Sequence, residues 1–284
     1  MKNTKKKNGA AAKGKGRAAL SAQQTIPYLS MHPDGVCKLP GGLYTKTVEY
    51  EDINYSVAST EDQTAIFSGW SSFLNYFDSS LPFQLSFINR RSHSRSRYKV
   101  NIKRLGVPSE PMDGRARLAL LHSQMHPGSR EAFRFSWKDI PQTGLGTKDF
   151  IAPDSLDFRQ SRTFRIGQYW GAVSYLQIMA SELSDKLLAE ILELDAEMTV
   201  TMHIQTVDQL KAIKTIKGKI SDIGKMKVEE QRKAVRSGYD PDILPPDLIT
   251  FSKDAAELLA DLQSRNERMF LLTFTVVNLA PTRQ

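Results

Sequence analysis

The sequence predicts an α+β fold, an open mixed or antiparallel sheet with helices packed mainly on one face. Three observations predict it. Short runs in which apolar and polar residues alternate, such as Phe83, Leu85 and Phe87 in "LPFQLSFINRR", have the period of half-buried strands. Longer stretches with an apolar residue every three or four positions, such as Ile213, Ile216, Ile220 and Ile223, have the period of amphipathic helices. The two kinds follow one another as strand, helix, strand, helices, strand, which favours segregated layers. No repeat of fixed period is present.

The chain of 284 residues, 40% hydrophobic and 25% charged, can bury one large core or two modest ones. Its net charge of +8 is concentrated at the amino end, where Lys2, Lys5, Lys6, Lys7, Lys13, Lys15 and Arg17 have no acidic residue among them. Outside that stretch, 32 basic residues face 31 acidic ones, so the body is nearly neutral. Residues 1–24 are predicted to be a disordered basic arm, because Lys, Gly, Ala and Asn cannot offset their ordering entropy. Lys5, Lys6, Lys7, Lys13, Lys15 and Arg17 would contact anionic lipid or nucleic acid weakly, by charge alone. The run "KGKGR" from Lys13 to Arg17 has no preceding strand and no following hydrophobic helix, so it is not a phosphate loop. Order is expected from about Ile26, with residues 25–284 forming one α+β domain.

"GVCKLPGGLYTKTVEYEDI" contains two β-leaning runs around Pro40, Gly41 and Gly42, which predicts a hairpin with a slightly long loop. Leu43, Thr45, Thr47 and Glu49 would face one side, and Tyr44, Lys46, Val48 and Tyr50 the other. A helix is predicted from Glu61 to about Asp78. Thr60 and Gln63 have capping-box spacing, and Glu61 and Asp62 suit the positive end of the helix dipole. Ile66, Phe67, Trp70, Phe73, Leu74 and Phe77 would form its buried face, leaving Tyr76 off the stripe and exposed. The strand containing Phe83, Leu85 and Phe87 follows. Next comes a basic stretch with Arg90, Arg91, Arg95, Arg97, Lys99, Lys103 and Arg104, predicted as an exposed loop with an anion-binding patch as the sharper alternative.

"SRTFRIGQ" and "YWGAVSYLQIMA" read as successive strands, followed by a helix over about 185–194 and a strand, "EMTVTMHIQ". A long helix is predicted from Val207 to Arg236, with Leu210, Ile213, Ile216, Ile220 and Ile223 on one stripe. Pro241, Pro245 and Pro246 interrupt the pattern. A second helix over about 247–266 would turn Leu248, Phe251, Ala255, Leu258, Leu259 and Leu262 inward, and "RMFLLTFTVVN" closes the order with a strand.

The chemistry-bearing motifs are sparse. No G-x-x-x-x-G-K-[ST] run holds a nucleotide's phosphates; "GLGTKDF" has its glycines and lysine out of register, and "IKGKIS" sits on a helical lysine face. His122 and His126 are four apart, as in helical zinc proteases, but Ser123 stands where the general base belongs and Pro127 ends the helix at once. The single cysteine, Cys37, has no thiol partner within the chain and is expected to be a buried apolar group. "MFLLTFTVV" is far shorter than the ~18 to 20 residues that span a bilayer, and "GAAAKGKGRAAL" lacks the apolar core of a secretory signal, so a cytosolic chain is expected. No catalytic residue, metal ligand or cofactor is assigned.

Taken together, "GLYTKTVEYEDINYSVASTEDQ" through "LPFQLSFINRR", "KRLGV" with "GRARLALLH", "KDFIAPDSLDF", "RIGQYWGAVSYLQIMASELSDKLLAEIL", "EEQRKAVRSGYDPDILPPDL" and "SRNERMFLLTFTVVNLA" resemble the amino-terminal region of the TrbE/CagE-like conjugation ATPases. These are VirB-type motors of type IV secretion systems, and the likeness is to the branch of Gram-positive conjugative elements. It covers nearly everything from about Gln23 onward. The resemblance implies a domain that docks the motor onto inner-membrane subunits of the secretion channel, at the cytoplasmic face of the membrane, and that supports self-association. Two departures qualify it. The segment around 92–101 is shorter than the family pattern, and the phosphate-binding domain that would follow the final strand is not reached before Gln284. The expectation is therefore a docking and oligomerisation domain without turnover of its own. Arg90, Arg91, Arg95, Arg97, Arg104 and Tyr76 are the candidate contact residues. The alternative is a nucleic-acid-binding accessory protein of conjugation that uses the arm and the arginine stretch, although those charges lack the interleaved aromatics of a stacking platform.

Overall fold

The computed structural model describes residues 20–50, 59–89, 109–129, 131–177, 190–191, 194, 196–264 and 267–282. The charged positions of the basic arm, the arginine stretch from Arg90 to Arg104, the short segment 92–101 and most of the helix expected over 185–194 lie outside the described residues. In chain order the first elements are α1 (Ala22–Thr25), β1 (Ser30–Met31), β2 (Cys37–Lys38), β3 (Tyr44–Thr45), β4 (Val48–Tyr50), α2 (Thr60–Tyr76), β5 (Phe83–Asn89) and β6 (Ser109–Pro111). They are followed by α3 (Gly114–Met125), α4 (Asp139–Thr143), β7 (Leu156–Asp157), β8 (Phe164–Ile166) and β9 (Tyr169–Tyr175). The last are β10 (Glu197–Thr206), α5 (Gln209–Arg236), α6 (Pro246–Ser264) and β11 (Phe270–Ala280).

The stretch 25–284, expected as one domain, divides into two compact units: residues 1–46 with 113–156, and residues 47–112 with 157–284. In the first unit, α1 opens within the range assigned to the arm. Ser21 Oγ accepts from the Gln24 N–H and the Gln24 side chain accepts from the Ser21 N–H, a capping box that organises one helical turn. β1 and β2 pair across a tight turn at Pro33, Asp34 and Gly35, with Gly35 at φ 84°. β2 and β3 pair across the Pro40–Gly42 turn, as the sequence predicts. The strand expected to run on from Tyr44 to Tyr50 instead breaks after Thr45. Ile26, Tyr28, Met31, Cys37, Leu118, Phe135 and Ile151 form the core of this unit, each such side chain contributing about 1.5–3 kcal/mol relative to exposure. Arg117 ties α3 to the hairpins: Nη1 donates to the carbonyls of Gly35 (2.7 Å) and Thr45 (2.8 Å), and Nη2 donates to Thr45 Oγ1 (3.1 Å).

The second unit is built on a six-stranded sheet in the order β5-β10-β11-β9-β8-β7, with β4 and β6 paired separately. The registers of β5 with β10, β10 with β11, β11 with β9 and β9 with β8 are all antiparallel, in keeping with the α+β class. Alternation along β10 separates the faces. Val200 and Met202 align with Phe87, Leu85, Val276 and Phe274, whereas Thr201 and His203 align with Ser86, Gln84, Thr275 and Thr273. Helical and loop residues Leu176, Ile191 and Ala196 pack against the apolar face around Met198, Val200 and Phe274.

Three helical stripes differ from their expected form. α2 is capped one residue earlier than Thr60, because Ser59 Oγ accepts from the Asp62 N–H at 3.2 Å. No residue of α2 is fully buried, and Phe67, expected inward, is 68% exposed. On α5 the inner stripe passes through Ala212 and Ile216, which leaves Leu210 78% exposed. On α6, Leu248, Ala255, Leu259 and Leu262 turn inward as expected, but Phe251 and Leu258 face outward.

Candidate interaction surface

α2 is held to the sheet by an aromatic chain. Phe77 stacks on Phe83 with centroids 4.2 Å apart, Phe73 meets both edge-on, and Trp70 meets Phe73 at 5.7 Å. The Phe77 carbonyl closes the helix end by accepting from Thr206 Oγ1 (3.0 Å) and Arg268 Nη1 (3.3 Å). Anchoring this side turns Tyr76 away, and it is 63% exposed, as its position off the stripe predicts. Of the candidate contact residues, Tyr76 alone is described. Arg90, Arg91, Arg95, Arg97 and Arg104, and the arm residues Lys5, Lys6, Lys7, Lys13, Lys15 and Arg17, lie outside the described residues.

The larger described surface belongs to α5 and α6. The Gln209 side chain donates to the Leu262 carbonyl, and Lys227 Nζ donates to Ser252 Oγ at 2.7 Å, so the two helices run antiparallel. Ala212, Ile216 and Leu262 are the buried contacts at the root, supported by Ile213, Ile220 and Leu259. Along α5, nine lysines and arginines face three acids, whereas α6 has four acids and one lysine. Val228, Val235, Tyr239, Ile243, Ile249 and Phe251 are exposed towards the connection between them. Large apolar side chains are thus exposed among charges on this surface. The sequence reading misses this surface because it turns Leu210, Phe251 and Leu258 inward and gives Val228, Val235, Tyr239, Ile243 and Ile249 no place.

The remaining motifs have structural partners. Gly144 is the left-handed cap of α4 at φ 70°, and Lys148 Nζ donates to the Ile26 carbonyl (3.0 Å) beside the Tyr28 ring, so "GLGTKDF" serves packing. "IKGKIS" lies within α5. Cys37 is buried, and burial holds its thiol above the ordinary range while Arg117 nearby opposes the shift. His122 and His126 stack with centroids 4.0 Å apart, and His126 Nδ1 donates to the His122 carbonyl at 2.9 Å. Among the described residues no group of three or more His, Cys, Asp or Glu side chains is placed to hold a metal ion.

Burial, and next the neighbouring His126, push His122 below its ordinary value of 6.5, with Glu131 opposing. As the pH falls through 6.5, the unfolded chain binds a proton that the stacked ring resists, so stability falls with pH. The melting temperature is expected to drop between about pH 7.5 and about pH 5.5, and the drop should shrink in His122→Asn. An equal drop in that variant would assign the pH dependence to other groups.

No family model matches the chain, and no curated protein matches it. Among the described residues no helix is long and apolar enough to cross a membrane. Fold and surface together define an antiparallel α+β protein with a charged, partly apolar helical hairpin.

Proposed function

We propose that this chain is a docking and oligomerisation domain of a conjugative-transfer ATPase of the TrbE/CagE-like kind, acting by contact and without turnover of its own. In this reading it works in the cytoplasm, peripherally at the inner face of the cell membrane, on inner-membrane subunits of a type IV secretion channel. The observation that carries the reading is the α5–α6 hairpin, whose outer surface combines uncommitted apolar residues with dense charge. Burying such groups in the unit's own core would have been the stabilising choice for a domain that meets no partner. The family-like stretches from "GLYTKTVEYEDINYSVASTEDQ" to "SRNERMFLLTFTVVNLA" supply the particular partner. The excess of basic residues on α5 favours a second reading, a nucleic-acid-binding accessory protein, which requires strongly salt-dependent DNA affinity.

Recruitment to membranes that contain the channel tests the proposal. Tyr76→Ala is expected to weaken recruitment with little change in melting temperature, since Tyr76 is largely exposed. Arg95, Arg97 and Arg104 replaced together by serine are expected to weaken it further. Full recruitment of both variants would remove Tyr76 and the arginine stretch from the contact and leave the α5–α6 hairpin to carry the docking.

A further inference from the structure

β9 is paired along almost the whole of one edge and along less than half of the other. Its register with β11 runs from Trp170 to Tyr175, but its register with β8 runs only from Tyr169 to Gly171. The Leu176 N–H donates to the Phe274 carbonyl at 2.9 Å, which sets the hydrogen-bonding parity of the strand. Even-numbered residues turn their backbone groups towards β11, and odd-numbered ones turn theirs towards β8. Beyond Gly171, the N–H and C=O groups of Val173 and Tyr175 therefore point outward from the sheet edge, and among the described residues no backbone group pairs with them.

The side chains leave this edge open too. Val173 is 57% and Tyr175 72% exposed. They share the face of Gly171, over which the Phe164 ring lies, and Phe158, also exposed, stacks on Phe164 at 5.6 Å. An apolar shelf thus borders the open edge. Residues 171–177 include no charge and no proline, two of the devices that keep exposed edges from pairing. Where pairing with β8 stops, the chain enters β8 from a bend at residues 160–162. The approach is basic, since residues 157–165 include Arg159, Arg162 and Arg165 and the single acid Asp157. Arg159 is bonded to Asp157, whereas Arg162 is exposed and no ion pair engages it among the described residues.

We propose that the open edge of β9 takes up an extended segment of a partner protein as an added strand, apolar at alternate positions and acidic at its carboxyl end. Each feature of the occupant follows from the edge. Val173 and Tyr175 offer two donors and two acceptors to one backbone, and alternate side chains of the added strand meet the shelf of Val173, Tyr175 and Phe164. Addition antiparallel to β9, the more stable pairing, runs in the direction of β8, so the carboxyl end of the segment arrives at the 160–162 bend. There the arginines outnumber Asp157, which selects carboxylates. A neutral or basic segment would gain the backbone bonds without the charge match. Four hydrogen bonds on one short edge make a weak contact for an isolated peptide. The inference goes beyond the docking reading by adding a surface apart from the α5–α6 hairpin, and it rests on that reading only for which protein supplies the strand.

The test is fluorescence polarisation of the whole chain with a labelled heptapeptide of alternating threonine and valine that ends in two glutamates. Saturable binding is expected, weakened at least ~10-fold when every second amide of the peptide is N-methylated. Val173→Pro removes an outward donor that the sheet itself does not use, and Tyr175→Lys places a charge on the edge. Each should weaken binding by at least ~10-fold with circular dichroism unchanged, so one variant reads the edge if the other misfolds. Arg162→Glu should reverse the end preference, favouring a twin peptide that ends in two lysines. Equal binding of the methylated peptide, full binding by a folded edge variant, or an unchanged end preference in Arg162→Glu overturns the inference. So does an edge filled by a second copy, seen as a concentration-dependent mass that Tyr175→Lys abolishes. Recruitment to channel membranes, measured in parallel, reads the docking proposal separately. A recruited chain that ignores the peptide sinks only the inference, and a chain that binds the peptide without being recruited sinks only the docking proposal.

Discussion

Gly114→Ala is expected to destabilise the first unit by about 3 kcal/mol, a fall of roughly 12–24 °C in melting temperature. Gly114 is the first residue of α3, and a Cβ there would lie 2.1 Å from the His32 carbonyl oxygen and 2.6 Å from the Trp137 ring. The ring can give way, but the carbonyl cannot do so cheaply. It accepts from the Gly35 N–H at 3.0 Å and so closes the turn between β1 and β2, while the Gly114 N–H itself donates to the Pro33 carbonyl at 2.9 Å. Moving α3 outwards would also pull Arg117 from the Gly35 and Thr45 carbonyls, leaving part-buried acceptors without their charged donor. A thermal melt that matched the parent within a degree or two would show that α3 does not sit against this turn.

Val200→Asp is expected to abolish the cooperative folding of the second unit. Val200 is fully buried in β10, aligned with Phe87 on one side and Val276 on the other and clustered with Met198 and Phe274. A carboxylate placed there has no cationic partner among those neighbours, and the cost of burying it, about 3–5 kcal/mol or more, approaches the whole stability of a typical domain. Val200→Ala keeps the site apolar and should cost only about 1–3 kcal/mol. The comparison is read by denaturant unfolding followed at the aromatic residues. An aspartate variant that unfolds no earlier than the alanine variant would place Val200 in contact with water.

What the sequence reveals follows the length of each element. β5, β9, β10 and β11 and the long helices α5 and α6 appear where the periodicity predicts them, because a two-residue or 3.6-residue period accumulates over seven or more residues. The first unit has strands of two residues, too short for a period to register. Its core joins residues near 26–37 to residues near 118–151, a pairing set by tertiary contact across a long intervening stretch. The turn at Pro33, Asp34 and Gly35 is nevertheless a legible signal that marks β1 and β2.

The helical hairpin shows the complementary failure. Leu210 and Ala212 both fit a helical stripe within one turn, and hydrophobicity favours Leu210, whereas close packing at the root uses the smaller Ala212. The same preference pulls Phe251 and Leu258 inward on paper, although Ser252 and Ala255 lie nearer the seam. The exposed apolar surface of the hairpin is therefore hidden in the sequence by its own apolar residues. Tyr76 is the converse case, an aromatic that departs from the stripe of Phe73 and Phe77 and is exposed for that reason.

The central proposal is that the chain acts by docking on subunits of a conjugation channel. Its most direct test is co-sedimentation of the purified protein with inner-membrane vesicles from cells that carry the channel, beside vesicles from otherwise identical cells without it, at matched lipid and physiological salt. The account predicts a saturable bound fraction that depends on the channel and falls in Tyr76→Ala. Equal pelleting with both kinds of vesicle, lost as salt is raised, would reduce the interaction to charge attraction for lipid and contradict the account.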